Sequence, residues 1–447
     1  MKGERMNYQQ AKKKLEANGQ DRLLRFWGQL DTKARKALLS QIAAIDFKEL
    51  ARCRAMLPGT GAGNPQPSTL NLQPSTDLSP TAPKVAELKG RALASAIAAG
   101  AKELAAGRVA VLLVAGGQGS RLGFEGPKGA YPIGPVTNKP LFYFHARKVL
   151  AKAKKYGKSV PFYIMTSEAN YDATVACFKE NGWFGLDRKD VFFFKQGMWP
   201  GMSAEGQVIL DGPGHVFMSP DGHGGLLAAL KRSGALADMK KRGIRSVFFF
   251  QVDNPLVEVA DEAFIGYHVL ERSEYTLKLC AKRDPYEKVG MPMKFGKTFK
   301  MVEYTEMTDE QCNRKGKDGR LYFLYGSPAI HVFDRTFLER EAMKPMPLHL
   351  AHKKIAQVDE KGRVVKPTEP NGYKFEKFIF DILPDARKAA FLAFDQKDEF
   401  SPVKNAEGSD SPATCKADLQ AKWRRQLAAR GILIEGDAIL EVDPVFF

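Results

Sequence analysis

The segment 108–114 reads RVAVLLV and runs straight into a loop of glycines, Ala115-Gly-Gly-Gln-Gly-Ser-Arg-Leu-Gly123. A continuous aliphatic and β-branched run has no polar face. It fits a strand covered on both sides, as in a parallel sheet. Parallel strands need long crossovers, and the chain supplies them. KPLFYFHARKVLAKAKKYG (139–157) has helical period with Pro140 near its start, and 224–242 reads as helical. PFYIMTS (161–167), VFFF (191–194) and SVFFFQVDN (246–254) are further apolar runs. Residues 274–281, 298–304 and 327–333 read as later strands, and EKFIFDIL (376–383) as an apolar helix or strand. Strands alternating with helices predict an α/β fold with a mostly parallel sheet.

Helical spacing in LLRFWGQL and ALLSQIAAI predicts a helical N-terminal part over 7–56, with Asp31-Thr32 as a break and cap. Residues 57–84, rich in Pro, Gly, Ser, Thr and Asn, read as a linker, and 85–106 as a helix. The mixed tail from 386 predicts a small C-terminal lobe. The expected division is therefore a helical region over 1–107, a main α/β domain over 108–385 and a lobe over 386–447.

Lys and Arg number 68 against 51 Asp and Glu, a formal charge of +17, which points to acidic ligands. Nucleic acid is one such ligand. The positive charges are spread along the chain, however, and no module or interleaved stacking aromatics accompany them, so no nucleic-acid partner is expected. The five cysteines form no CxxC pair, which argues against a disulfide framework or zinc ribbon and for a reducing compartment. No run of about 18 apolar residues occurs and no apolar h-region follows MKGERMNYQQ, so neither a membrane span nor a secretory signal is expected. A cytoplasmic location is the expectation.

Glycines after a strand let backbone N–H groups approach a phosphate. A plain tight turn is the bland alternative. A dinucleotide loop predicts GxGxxG and an acid about 20 residues on. Here Gly117, Gly119 and Gly123 are spaced one residue too long, and no Asp or Glu occurs from 126 to 167. A P-loop needs GxxxxGK[ST], which does not follow this strand. What remains is a nucleoside triphosphate site built from glycine backbone, Arg121 and Lys128.

That loop and its downstream companions resemble the UDP-N-acetylglucosamine pyrophosphorylase branch of the UDP-sugar pyrophosphorylase family. The matching pieces are LLVAGGQGSRLGFEGPKG (112–129), KQGMWPGMSAEGQVIL (195–210), MSPDGHGG (218–225), QVDNPLVEVADEAFIGY (251–267), VGMPMKF (289–295), MVEYTEM (301–307), PNGYKFEKFIFDIL (370–383) and DEFSPVKNAEG (398–408). The resemblance implies a Rossmann-like, mixed central sheet of the nucleotidyltransferase (GT-A-like) kind. It implies a uridylyltransferase that joins UTP and a sugar 1-phosphate into a UDP-sugar and pyrophosphate, with Mg²⁺. By motif, the backbone of Val114, Ala115, Gly116 and Gly117 holds the nucleotide. Gln196, Gly222 and His223 meet the uridine, and Asp253 binds the metal. Gly290, Glu303, Tyr304, Ser327, Phe378 and Phe380 line the sugar pocket. Arg121, Lys128, Lys374 and Lys404 serve the phosphates. A monomer or weak homo-oligomer is expected.

Each assignment has a plainer counterpart in the sequence. Asp253, after SVFFFQV and before Asn-Pro, can cap a turn. Gln196 can be an exposed strand-end amide, Glu303 a solvent-facing strand residue, and Phe378 and Phe380 core packing. Two departures touch the sugar. His223 stands where the acetylglucosamine branch has Asn, as in glucose-type and broad-specificity enzymes, and Ser327 stands where a sugar-contacting Asn is expected. N-acetylglucosamine 1-phosphate is the expected substrate by overall similarity. Glucose 1-phosphate, galactose 1-phosphate and a catalytically dead sugar-nucleotide sensor are the alternatives.

Overall fold

The computed structural model describes residues 6–58 and 80–447; most of the expected linker, 59–79, lies outside them. The chain forms two compact units, 76–196 with 226–345 and 380–447, and 1–75 with 197–225 and 346–379.

The larger unit is built on seven strands: β1 (Val109–Val114), β2 (Phe162–Thr166), β3 (Val191–Lys195), β4 (Ser246–Gln251), β5 (Tyr275–Ala281), β6 (Tyr325–Asp334) and β7 (Ala389–Phe394). Their order is β7-β5-β6-β4-β1-β2-β3. Neighbours run parallel except at β6, which is antiparallel to both β5 and β4. The mostly parallel sheet expected from the apolar runs is therefore present, with the mixed character that the resemblance implies. The central strands are buried along almost their whole length, which explains why β1 and β4 read as unbroken apolar runs. The segment after 386 gives this sheet its edge strand β7 as well as the helix Pro412–Ala428.

Helices cover the sheet. Pro140 caps the helix Leu141–Tyr156 and Gly157 ends it in the left-handed region at φ 60°. The helices Gly90–Ala105 and Glu262–Leu270 press backbone on backbone. A Cβ on Gly100 would stand 1.9 Å from the Glu262 carbonyl oxygen, and one on Gly266 1.7 Å from that of Ala96. The helical stretch expected over 224–242 is broken into Leu226–Arg232 and Ala235–Lys241 by Gly234 at φ 80°.

The smaller unit packs its N-terminal helices around Leu38, Ile42, Leu50 and Phe375. Asp31 caps the helix Thr32–Ala44, its side chain accepting from the Ala34 N–H at 2.7 Å, as the sequence predicts. A short sheet joins His349–Lys353, Gly372–Glu376 and Met202–Ser203. The stretch 376–383, read as helix or strand, is neither throughout: the strand ends at Glu376 and a 3-10 turn spans Ile379–Asp385.

Candidate active site

Val114 ends β1, and the glycine loop then folds back on itself. The Lys128 N–H donates to the Gly117 carbonyl at 3.0 Å, and the Gly119 N–H donates to Gly126 at 2.9 Å. Gly119 lies against Phe124, where a Cβ would stand 2.7 Å from the ring, and Gly123 takes φ +67°. Gly116 faces the Gln196 amide so closely that a Cβ would sit 2.9 Å from its Nε2. Two separately predicted segments, Val114–Gly117 and Gln196, thus meet at the carboxyl ends of β1 and β3, where open α/β sheets bind ligands. Arg121 is exposed on the loop.

Asn170, which sequence reasoning missed, holds this loop from behind. Its Nδ2 donates to the carbonyls of Ala115 at 2.9 Å and Gly117 at 3.2 Å, and its Oδ1 accepts from the Ser167 N–H at 2.8 Å. Both carbonyls are thereby taken up inside the protein. Its position just before the helix Tyr171–Glu180 suggests a cap, yet its side chain makes no cap bond.

Asp253 stands two residues beyond β4, and its carboxylate lies 3.9 Å from the Lys128 ammonium. Both side chains are mostly buried, so the pair is only partly screened. The Asp253 carbonyl accepts from the Val403 N–H at 2.8 Å, which brings the 399–404 segment and Lys404 beside it. Asn254 tightens this join. Its Nδ2 donates to the Glu399 carbonyl at 2.7 Å, and its Oδ1 accepts from the Ser401 N–H at 3.1 Å. Lys404 is only loosely paired, 4.0 Å from Asp410, and its side chain is 40% exposed. Among the described residues no three His, Cys, Asp or Glu gather as a metal site. Asp253 offers one hard oxygen donor, which fits Mg²⁺ that is otherwise held by phosphate oxygens and water.

In the same unit Gly290 bridges Ser327, whose N–H donates to the Gly290 carbonyl at 2.8 Å. Glu303 approaches the same point, its Oε1 3.1 Å from where a Gly290 Cβ would be. Gly290, Glu303 and Ser327 therefore converge. Tyr304, next to Glu303 in sequence, is exposed, and Phe380 lies half-buried in the 3-10 turn.

The other unit holds Gly222, His223, Lys374 and Phe378. Gly222 takes φ +79° and sits where a Cβ would meet the Lys377 carbonyl oxygen at 2.5 Å. The Gly224 N–H donates to that carbonyl at 2.8 Å, and the Lys377 N–H donates to Asp221 at 2.8 Å. His223 accepts the Ile379 N–H on Nδ1 at 3.0 Å. An accepting Nδ1 places the ring proton on Nε2. Burial, with His349 nearby, lowers the His223 pKa to about 4, so the ring is neutral at pH 7. His223 and His349 both stack on Phe378, with centroids 5.3 and 4.3 Å away. Lys374 lies over the Phe217 ring at 5.2 Å, and burial pushes its pKa down.

No helix among the described residues is long and apolar enough to cross a membrane. The family described as UTP--glucose-1-phosphate uridylyltransferase matches residues 80–410. The chain is 38% identical to mouse UDP-N-acetylhexosamine pyrophosphorylase-like protein 1, over 96% of this chain and 87% of that one. It is 34% identical to UDP-N-acetylglucosamine pyrophosphorylase of Saccharomyces cerevisiae, over 95% and 92%. The fold is similar to a crystal structure of the uridine diphosphate N-acetylglucosamine pyrophosphorylase from Trypanosoma brucei, with a TM-score of 0.80, 28% identity, and coverage of 96% of this chain and 87% of that one. The resemblance read from eight ordered motifs is met over nearly the whole chain, and the chain belongs to the UTP–glucose-1-phosphate uridylyltransferase family.

Proposed function

We propose that this chain transfers a uridylyl group from UTP to a sugar 1-phosphate, with N-acetylglucosamine 1-phosphate as the first choice, and releases pyrophosphate. The observation that carries this reading is the meeting of the glycine loop, Lys128 and Asp253 at the ends of β1 and β4. An oxygen of the sugar phosphate attacks the α-phosphorus of UTP in line. The new P–O bond forms as the bond to pyrophosphate breaks, and pyrophosphate leaves with that electron pair. The nucleophile is already ionised at pH 7, so no general base is needed. Two anions must approach, and Arg121, Lys128, Lys374 and Lys404 offset their repulsion. Asp253 would hold Mg²⁺, which when bound offsets charge on the phosphates.

Gln196 donates and accepts at once, which suits the uracil edge, with the backbone at Gly222 and the side chain of His223 as further nucleotide contacts. The neutral His223 offers no proton at pH 7 and serves recognition rather than acid–base catalysis. Gly290, Glu303, Tyr304, Ser327, Phe378 and Phe380 are assigned to the sugar. The reading includes a cytoplasmic setting, since the five cysteines stand free. It also includes a monomer or weak homo-oligomer with no nucleic-acid partner.

Pyrophosphate release from UTP and Mg²⁺ tests this reading, with N-acetylglucosamine, glucose and galactose 1-phosphates compared at equal concentration. The acetylated sugar is expected to react fastest. A preference for glucose moves the assignment to the glucose branch, which Ser327 and His223 would explain. Release with none of the three overturns catalysis in favour of a sensor.

A further inference from the structure

A cavity of about 540 Å³ lies beside the segment that follows Asp253, lined by the helices Leu141–Tyr156 and Pro412–Ala428 and by residues 444–447. Small-molecule sites span about 300–1,000 Å³. Six cations line it, Lys148, Lys152, Lys154, Lys155, Lys422 and Arg430, against one acidic side chain, Glu258. Glu262, just outside, takes Lys152 at 2.6 Å and Lys155 at 2.8 Å. Glu258 lies 3.3 Å from Lys422 and 3.9 Å from Lys152. Among the described residues no Asp or Glu carboxylate comes within ion-pair distance of Lys148 or Lys154, while Arg430 donates to a main-chain oxygen of Phe447 at 3.2 Å.

Two of these cations are deeply buried, Lys152 at 8% and Lys422 at 7% exposure. Lys148 donates to the carbonyls of Pro255 at 2.5 Å and Val257 at 2.6 Å, and Lys422 donates to Leu256 at 2.8 Å. Burial, with the Lys422 ammonium nearby, brings Lys148 down to about 7. Ammoniums facing one another and bonded to neutral carbonyls are short of negative charge. The remaining wall is aromatic, with Phe144, Trp423 and Phe447.

We propose that this cavity is a second binding site, for a small phosphate ester carrying a flat apolar ring, and that its occupancy is felt at Asp253. The phosphate would take Lys148 or Lys422, and the ring would lie on the aromatic wall. Those two lysines hold the carbonyls of 255–257. A phosphate that takes their hydrogen bonds competes with that segment and loosens the strand end carrying Asp253. The lysines thus have two alternative sets of partners, and a ligand biases the choice.

Phenyl phosphate is the probe, titrated calorimetrically into the full chain. Inorganic phosphate and phenol serve as the anion-only and ring-only arms. Phenyl phosphate is expected to bind more tightly than either. Ala151→Trp, which fills the cavity, and Arg430→Glu, on the exposed rim, should each weaken it by about tenfold or more. Arg430→Glu covers the case in which the filled variant fails to fold. No binding to the wild-type chain, or equal binding to wild type and Arg430→Glu, overturns the site.

The link to Asp253 rests on the proposed function. Saturating phenyl phosphate should change the uridylyl-transfer rate of the wild type and leave that of Arg430→Glu unmoved. An unchanged wild-type rate overturns the link. Binding without any transfer activity overturns the proposed function and leaves the site standing.

Discussion

Lys404 projects from a segment fixed by its own backbone: its N–H donates to the Asp410 carbonyl at 2.7 Å, and the neighbouring Val403 N–H donates to Asp253. Removing the side chain leaves those bonds in place. Arg121 is likewise exposed, on a loop held by its own backbone and by Asn170. Lys404→Ala and Arg121→Ala are therefore expected to lower turnover by about 10²–10³-fold. Unfolding free energy should move by no more than about 0.5 kcal/mol. Steady-state kinetics beside urea titrations checks both halves, and a large stability loss with turnover intact would sink the assignment. Residues of this type can be nominated from the sequence because their chemistry shows in the side chain. Asn170 cannot. Its task depends on carbonyls more than fifty positions earlier, and no local pattern announces such a partner.

Among elements, the join between 253–256 and 399–403 has no β-ladder and begins at the end of the helix Gln396–Glu399, and Asn254 bonds to both sides of it. Asn254→Ala removes the bonds to Glu399 and Ser401, together with an acceptor for the Leu256 N–H at 3.3 Å. Asn254 is buried at 3% exposure, so its partners gain little water in exchange. A loss of about 2–4 kcal/mol is expected in denaturant titrations. Turnover should also fall, because Lys404 is no longer held beside Asp253; a variant as stable and active as wild type would contradict this. The strands β1 to β4 could be read in advance because burial on both faces writes an apolar run. The antiparallel course of β6 could not, since direction is set by which strands flank it. The break at Gly234 was missed because helical period continues across it while the backbone there turns left-handed.

Across the molecule, three histidines are held neutral by burial. His145 falls to about 3, and His268 and His223 to about 4. In the unfolded chain each takes a proton near pH 6.5. Below that pH the unfolded state binds more protons than the folded one, so stability drops as pH falls from 6.5 toward 3. The two fully buried rings, His145 and His268, account for on the order of 8 kcal/mol. Among the carboxylates, burial raises Glu399, which offsets part of this loss above pH 4.5. Burial alone would raise Glu258, yet the ammoniums of Lys422, Lys152 and Lys148 hold it at about 2, so its contribution begins to go only below about pH 4.5. Denaturant titrations at pH 7.5, 6 and 5 should show a steady loss; a flat profile over that range would exclude the histidine origin.

The smaller unit was the least legible part at this scale. Its strands are two to five residues long, too short for a period to register. Its three segments, 1–75, 197–225 and 346–379, alternate along the chain with those of the larger unit. No contiguous stretch of coding sequence therefore specifies either body. Truncation deep enough to remove the whole of one unit removes parts of the other, and a fragment library would not be expected to yield either one alone.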